Sequence, residues 1–320
     1  MKRFRKILYV LNGELDTSAI AFKRALSLAE NNSAELSLLR VLPHLSSMAF
    51  EGALGMSQAE IESRMLDETE QKLAQTLSMV VSKSTLSQKV VLGKNYLEAI
   101  RLVIREGYDL VIKVAENPGW LDRLFGSDDM HFLRKCPCPV WIMKDSDKLN
   151  YTKIMAAVDF DQNNQDFGEP ELNCTIMELS SSLALAEFAS LHVVNVYDAL
   201  SAGFISLWVN KPELVEQQLQ QDEYEYKKSA LTSLLQWLKK KIGDETYAYL
   251  SPSTELIQGN PAQLLPELAS KQEIDIVVMG SVGRSGISGL IIGNTAESVL
   301  SQLSCSVLVV KPAGFVSPVS

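Results

Sequence analysis

The sequence predicts an α/β protein made of two tandem, doubly wound five-stranded parallel-sheet domains. Three observations carry this expectation. A pattern of apolar strands and amphipathic helices occurs twice along the chain. The strands are continuous Val/Ile/Leu runs without polar alternation, as suits a parallel sheet covered on both faces. The 320 residues are enough for about two domains of ordinary size. Strand–helix alternation with right-handed crossovers then gives the layered arrangement in each half.

The elements pair off in order. The first half opens on Arg5-Lys-Ile-Leu-Tyr-Val-Leu-Asn12 and the second on Thr152-Lys-Ile-Met-Ala-Ala-Val-Asp159. Helical segments follow at 17–31 and 178–190. The second strands are Leu36-Ser-Leu-Leu-Arg-Val-Leu42 and Ser190-Leu-His-Val-Val-Asn-Val196. A helix is expected over 57–80, where Ile61, Met65, Leu66, Leu73 and Leu77 recur on one face. The third strands end on Gly93 and Gly259; the fourth are Tyr108-Asp-Leu-Val-Ile112 and Ile274-Asp-Ile-Val-Val278. The fifth are Pro139-Val-Trp-Ile-Met-Lys144 and Ser306-Val-Leu-Val-Val-Lys311. The offset grows from 147 residues (Asn12 to Asp159) to 167 (Lys144 to Lys311), and the polar stretch 161–173 is the candidate for the insertion. The polar segment 145–150 joins the copies, giving domains 1–147 and 151–320.

Composition narrows the function. Hydrophobic residues make up 46% and charged residues 22%, a globular profile. A net charge of −9 argues against a dedicated nucleic-acid binder, which carries a basic face. No apolar run reaches the roughly 18–20 residues of a membrane span. The basic start Met1-Lys-Arg-Phe-Arg-Lys6 is followed by an apolar stretch too short for a signal peptide, so a cytoplasmic protein is expected. Cys136 and Cys138 flank one proline, but zinc needs further ligands and the chain has three histidines, so the four cysteines read as reduced thiols and no metal site is expected.

In an open α/β sheet, ligands bind beyond the carboxyl ends of the strands. There the second half reads Met279-Gly-Ser-Val-Gly283-Arg284, then Gly293-Asn294-Thr295 and a helix carrying Glu297. Glycines bring backbone N–H groups close to an anion, a helix start adds its positive dipole end, and Arg284 can pair with a terminal phosphate. Asn294 or Thr295 is the expected N-cap.

This Gly-x2-Gly-x9-Gly spacing, after a Val-Val-Met-Gly strand and before Val-Leu-Val-Val-Lys311, resembles the ATP-binding motif of the universal stress protein family. Ile154-Met-Ala-Ala-Val-Asp159, Leu191-His-Val-Val194 and Gly259-Asn-Pro261 are similar to the family's first strand, second strand and turn after strand three. The likeness covers nearly all of both halves and is similar to tandem members from Gram-negative bacteria. It implies an adenine nucleotide alpha-hydrolase-like fold, the two halves packed as an intramolecular pseudo-dimer with further homodimerisation open, and ATP binding with or without Mg2+. It further implies Asp159 at the ribose or adenine edge and Val193 at the adenine, with Met279, Gly280, Gly283, Gly293, Asn294 and Thr295 along the ribose and phosphates. Asn294 departs from the family's Ser or Thr.

The first half departs further. Its loop, Lys113-Val-Ala-Glu-Asn-Pro-Gly-Trp-Leu-Asp-Arg-Leu-Phe-Gly-Ser127, keeps only Gly126-Ser127. Val114 stands at the place of Gly280, Glu116 or Asn117 at that of Gly283, and Asn12 at that of Asp159. A carboxylate at Glu116 opposes a triphosphate, so ATP is expected in the second half alone. His192 reads as a core or hydrogen-bonded histidine, and His131 lacks triad partners. Trp120 reads as packing, the apolar segment 201–209 as a lid, binding site or packed connector, and Tyr224, Tyr226, Lys227 and Lys228 as the solvated face of a long helix. The leading reading is a stress-linked nucleotide-binding module without strong catalysis, since no Walker Lys-[Ser/Thr] and no general base beyond Asp159 are evident. A slow ATPase or nucleotide switch, and a ligand-free scaffold, are the alternatives.

Overall fold

The computed structural model describes residues 4–45, 57–116, 126–144, 148–160, 169–197, 212–281 and 292–319. The chain divides into two compact units. One is Arg3–Asp147 with Val316–Ser320 and the other has Lys148–Phe315, so the C-terminal residues group with the first half.

The first unit runs β1 (Lys6–Leu11), α1 (Ile20–Asn32), β2 (Glu35–Leu42), α2 (Gln58–Ser78), β3 (Leu86–Leu92), α3 (Asn95–Glu106), β4 (Leu110–Val114), α4 (Ser127–Lys135) and β5 (Val140–Met143). Its strands are all parallel, in the order β3-β2-β1-β4-β5. The second unit runs β6 (Lys153–Ala157), α5 (Glu169–Glu187), β7 (Ser190–Tyr197), α6 (Pro212–Ile242), α7 (Asp244–Leu250), β8 (Ser253–Gln258), α8 (Pro261–Lys271), β9 (Ile276–Gly280), α9 (Asn294–Leu300) and β10 (Ser306–Val310). Its order is β8-β7-β6-β9-β10, again parallel. In each unit the order reverses beside the first strand, so the crevice where ligands collect lies between β1 and β4, and between β6 and β9.

The core follows the apolar runs. Ile7, Leu8, Leu110, Val111, Ile154, Met155, Ile276 and Val278 are fully buried. The third strands differ from a continuous apolar run: β3 is half-buried and β8 partly exposed, which admits Gln88, Lys89 and Glu255 at an outer position with one strand neighbour.

The duplication extends to single hydrogen bonds. Asp109 takes the backbone N–H of Arg5 and Lys6 at 2.8 and 3.2 Å, and Asp275 takes those of Thr152 and Lys153 at 2.6 and 3.0 Å. Gly93 and Gly259 have φ of 149° and 147°, a region that favours glycine, and each donates at 2.9 Å to the carbonyl ending the second strand, Leu42 or Tyr197. Nineteen of the twenty extra residues lie in two places rather than one, and the last falls between Gly259 and Lys311. The offset is 147 from Lys6 to Lys153, 155 from Glu35 to Ser190 and 166 from Gly93 to Gly259. Eight residues therefore enter around α5 and eleven around α6 and α7. The 161–173 stretch accounts for the smaller share, and its part 161–168 lies outside the described residues.

Among the described residues no helix is long and apolar enough to cross a membrane, and no group of three His, Cys, Asp or Glu is placed to hold a metal.

Candidate functional site

In the second unit β6 hands its chain to the crevice at Val158-Asp159-Phe160. Ala157 pairs with Met279 of β9, so Asp159 emerges beside the start of the glycine loop. The Val158 N–H makes the last backbone bond to β7, with the Val194 carbonyl at 3.0 Å, and side chains then take the place of the ladder. Asn195 of β7, fully buried, donates its amide to the Val158 carbonyl at 2.8 Å. Asn173 of α5 accepts from the Asp159 N–H at 3.3 Å and donates to the Asp159 carbonyl at 2.5 Å. The Asp159 carboxylate accepts the Phe160 N–H at 2.9 Å, and the Phe160 carbonyl accepts from the Lys227 ammonium of α6. Lys227 also pairs with Glu223 at 3.2 Å and is 1% exposed. Lys227 therefore does not belong to the solvated face expected of it, whereas Tyr224 and Lys228 do lie exposed.

On the other wall, β9 ends on Met279, buried, and Gly280. A Cβ at Gly280 would come 2.8 Å from Leu172 Cδ2 of α5. Close packing against the helix thus favours a glycine here, since a larger residue would have to push the Leu172 side chain aside. Ser281 donates its N–H to Val310 at 2.9 Å and accepts that of Gly293 at 3.0 Å, closing the base of the loop. The α9 helix starts one or two residues earlier than expected, with Gly293, not Asn294 or Thr295, as N-cap and Asn294 and Thr295 as its first two residues. Both are exposed, and N–H groups of a first helical turn have no intrahelical acceptor. Gly283 and Arg284 lie outside the described residues. Val193 sits inside β7, fully buried, between Ala156 and Thr254. The structure thus brings Asp159, Met279, Gly280, Gly293, Asn294 and Thr295 around one crevice and places the Val193 side chain in the sheet core.

The sequence reading missed Asn173, Asn195 and Lys227. An asparagine inside an apolar strand was a signal for Asn195. The other two depend on the rotational phase of helices bounded by insertions.

The first unit fills the equivalent crevice with its own groups. Asn12, at the place of Asp159, donates its amide across the crevice to the Val114 carbonyl at 2.9 Å. Lys113, at the place of Met279, is fully buried and meets fully buried Asp129 at 2.5 Å and Glu116 at 3.8 Å. Asp129 accepts the Glu116 and Gly126 N–H groups at 2.8 and 2.9 Å, capping α4. The Glu116 carboxylate lies against Gly126. Burial pushes its pKa up, Lys113 opposes that, and Asp129 and Asp128 add to the rise, while a hydrogen bond from the Asp128 backbone lowers it. The Glu116 carboxylate thus lies against the N-cap glycine of α4, whereas the acidic residue at the start of α9 is Glu297 in its first turn. Asn117 and Trp120 lie outside the described residues, as does 201–209.

His192 and His131 behave as structural groups. His192 lies between Ser190 and Ser253, at 3.1 and 3.0 Å, and burial lowers its pKa. His131 stacks on Tyr96 with ring centroids 4.2 Å apart. Cys136 and Cys138 are buried free thiols with Sγ atoms 3.6 Å apart.

Known proteins agree with this architecture. A universal stress protein E homolog of Haemophilus influenzae is 29% identical over 324 aligned residues, 97% of this chain and 98% of its own. Universal stress protein E of Escherichia coli K12 is 34% identical over 234 residues, 72% of this chain and 70% of its own. A crystal structure of a functionally unknown protein of Pseudomonas aeruginosa PAO1 superposes with a TM-score of 0.66 at 26% identity, over 97% of this chain and 93% of that one. A universal stress protein of Archaeoglobus fulgidus shares the fold, with a TM-score of 0.57 at 17% identity over 96% and 98% of the two chains. The universal stress protein family model matches residues 3–144 and again 150–311. With two family matches that together span nearly its whole length, the chain belongs to the universal stress protein family.

Proposed function

We propose that this protein is a stress-response nucleotide-binding module that takes one adenine nucleotide, ATP with its Mg2+, in the second unit. The observation that carries this reading is the contrast between equivalent crevices. In the second, a half-buried Asp159 at the end of β6 lines the same crevice as a helix start whose first residues, Asn294 and Thr295, are exposed. In the first, Glu116, Asp129 and the Asn12 bridge occupy the same ground. An anion is favoured at bare helix N–H groups and disfavoured where a carboxylate already sits. Asp159 would take the ribose hydroxyls or adenine edge; the N–H groups of Asn294 and Thr295, with Gly283 and Arg284 of the loop, would take the phosphates. Family membership and the glycine spacing support adenine nucleotide as the ligand class.

The reading is regulatory rather than catalytic, because hydrolysis needs an oriented water and charge stabilisation at the transferred phosphoryl group. Mass spectrometry of nucleotide released from the purified, denatured chain tests it. Stoichiometric ATP supports a binding module, ADP with turnover of added ATP identifies an ATPase, and an empty protein that ignores added ATP overturns the proposal.

A further inference from the structure

We propose that Lys227 is a positioning residue of the crevice: through the Phe160 carbonyl it sets the orientation of the Asp159 carboxylate. This rests on the nucleotide-binding reading above for its functional consequence, and on geometry alone for its structural one.

Lys227 stands out chemically. It is 1% exposed on a helix whose neighbouring Lys228 and Glu225 face solvent. Burying an ammonium is costly unless it is paired and hydrogen-bonded, and an apolar side chain of similar volume often serves stability as well as a buried ion pair. The ammonium is therefore better explained by what it holds than by stability. It holds the Phe160 carbonyl and the Glu223 carboxylate.

Phe160 is the residue whose N–H, at 2.9 Å, fixes the Asp159 carboxylate. Anchoring its carbonyl fixes the peptide on its carboxyl side; the peptide on its amino side, which carries the N–H that meets Asp159, is held at its own carbonyl by Asn173, and Lys227 acts on it through the backbone of Phe160. Asn195 and Asn173 hold the two preceding residues. Three consecutive residues beyond the strand are thus fixed by side chains from β7, α5 and α6. A ligand that meets a pre-set carboxylate loses less freedom on binding.

The first unit shows what is special to the second. Arg40 of β2, at the repeat position of Asn195, donates to the Leu11 carbonyl at 3.3 Å, as Asn195 does to Val158. Of the three holds, this one alone has a counterpart among the described residues of the first unit. The holds made by α5 and α6 accompany the two insertions of the second copy, and the copy that has them also has Asp159.

The test uses the full-length protein with Lys227→Met, Lys227→Arg, Glu223→Gln, Asp159→Asn and the Asp159→Asn/Lys227→Met double variant. Two quantities are read: affinity for ATP with Mg2+ by calorimetry, and hydrogen exchange at the amides of residues 158–160. Lys227→Met should weaken ATP binding by about tenfold, the size of one lost charge-assisted hydrogen bond. Lys227→Arg should recover most of that loss, and Glu223→Gln should give a smaller one. In the Asp159→Asn background, Lys227→Met should cost less than about twofold more, because coupled residues are not additive. Amide exchange at Asp159 and Phe160 should quicken in Lys227→Met and not in β9. If Lys227→Met leaves ATP affinity and local exchange unchanged, or if its effect multiplies fully with that of Asp159→Asn, the proposal is overturned. If the wild type binds no ATP, the nucleotide reading falls by itself; quickened exchange confined to 158–160 then still upholds the positioning role, and unchanged exchange overturns it. Should Lys227→Met fail to fold, Lys227→Arg and Glu223→Gln carry the same comparison.

Discussion

Gly280 and Glu116 occupy neighbouring places in the two copies of the repeat, and each shows how one residue sets its surroundings. Gly280 leaves room for Leu172, whose Cδ2 a new Cβ would approach to 2.8 Å. Because Leu172 Cδ2 is the tip of a flexible side chain that can turn aside, Gly280→Ala should destabilise the second unit by no more than about 1 kcal/mol, read as a small drop in the urea midpoint. Adding Leu172→Ala should remove the contact, so the double variant should lose less than the sum of the two single losses. At Glu116, burial raises the carboxyl pKa above its ordinary 4.5. A group raised on folding contributes stability that is complete below the unfolded value and is lost as pH rises through the folded value. Glu116→Gln should flatten that part of the stability–pH curve and leave the first unit at least as stable at pH 7. A steep loss of neutral-pH stability in this variant would contradict a burial-dominated carboxyl.

Among the elements, the splice between each first strand and each fourth strand is made by one carboxylate. Asp275 binds Thr152 and Lys153 and meets Lys148 at 2.7 Å. Burial alone would raise its pKa, but Lys148 and the Thr152 and Lys153 N–H groups outweigh it and hold the pKa below 3.8. Its contribution is therefore present above 3.8 and lost as pH falls through the depressed folded value. Asp275→Asn should cost the second unit about 1–3 kcal/mol at pH 7, and the gap to wild type should close in strong acid. A gap independent of pH would show that the charge is not what matters. The strands themselves were legible because a parallel sheet demands apolar runs, and β1, β4, β6 and β9 fall on theirs. The start of α5 was not: Glu169 to Cys174 reads as polar, yet Leu172, Asn173 and Ile176 face inward at helical spacing and are buried. The phase of α6 was equally hidden. Which side of a 31-residue helix meets the strand ends is fixed by packing, and so Lys227 was read as solvated.

Across the whole chain, the duplication was legible because it repeats local chemistry: an aspartate opening the fourth strand, a glycine closing the third, a lysine after the fifth. The asymmetry was legible only in part. The sequence placed Glu116 and Val114 against a phosphate, and the structure adds that Asn12 bridges to Val114 and that Asp129 caps the helix start while Lys113 is buried beneath it. The Asn12–Val114, Glu116–Asp129 and Lys113–Asp129 contacts join residues separated by 13 to 102 positions, which no local pattern records. The unequal crevices predict one adenine nucleotide per chain, held by the second copy. Native mass spectrometry of the full-length chain with saturating ATP and Mg2+ tests it most directly, applied to the wild type, Gly283→Val and Asn117→Trp. One nucleotide should be present per wild-type chain, lost in Gly283→Val and kept in Asn117→Trp. Two nucleotides per chain, none, or equal losses in both variants would contradict it.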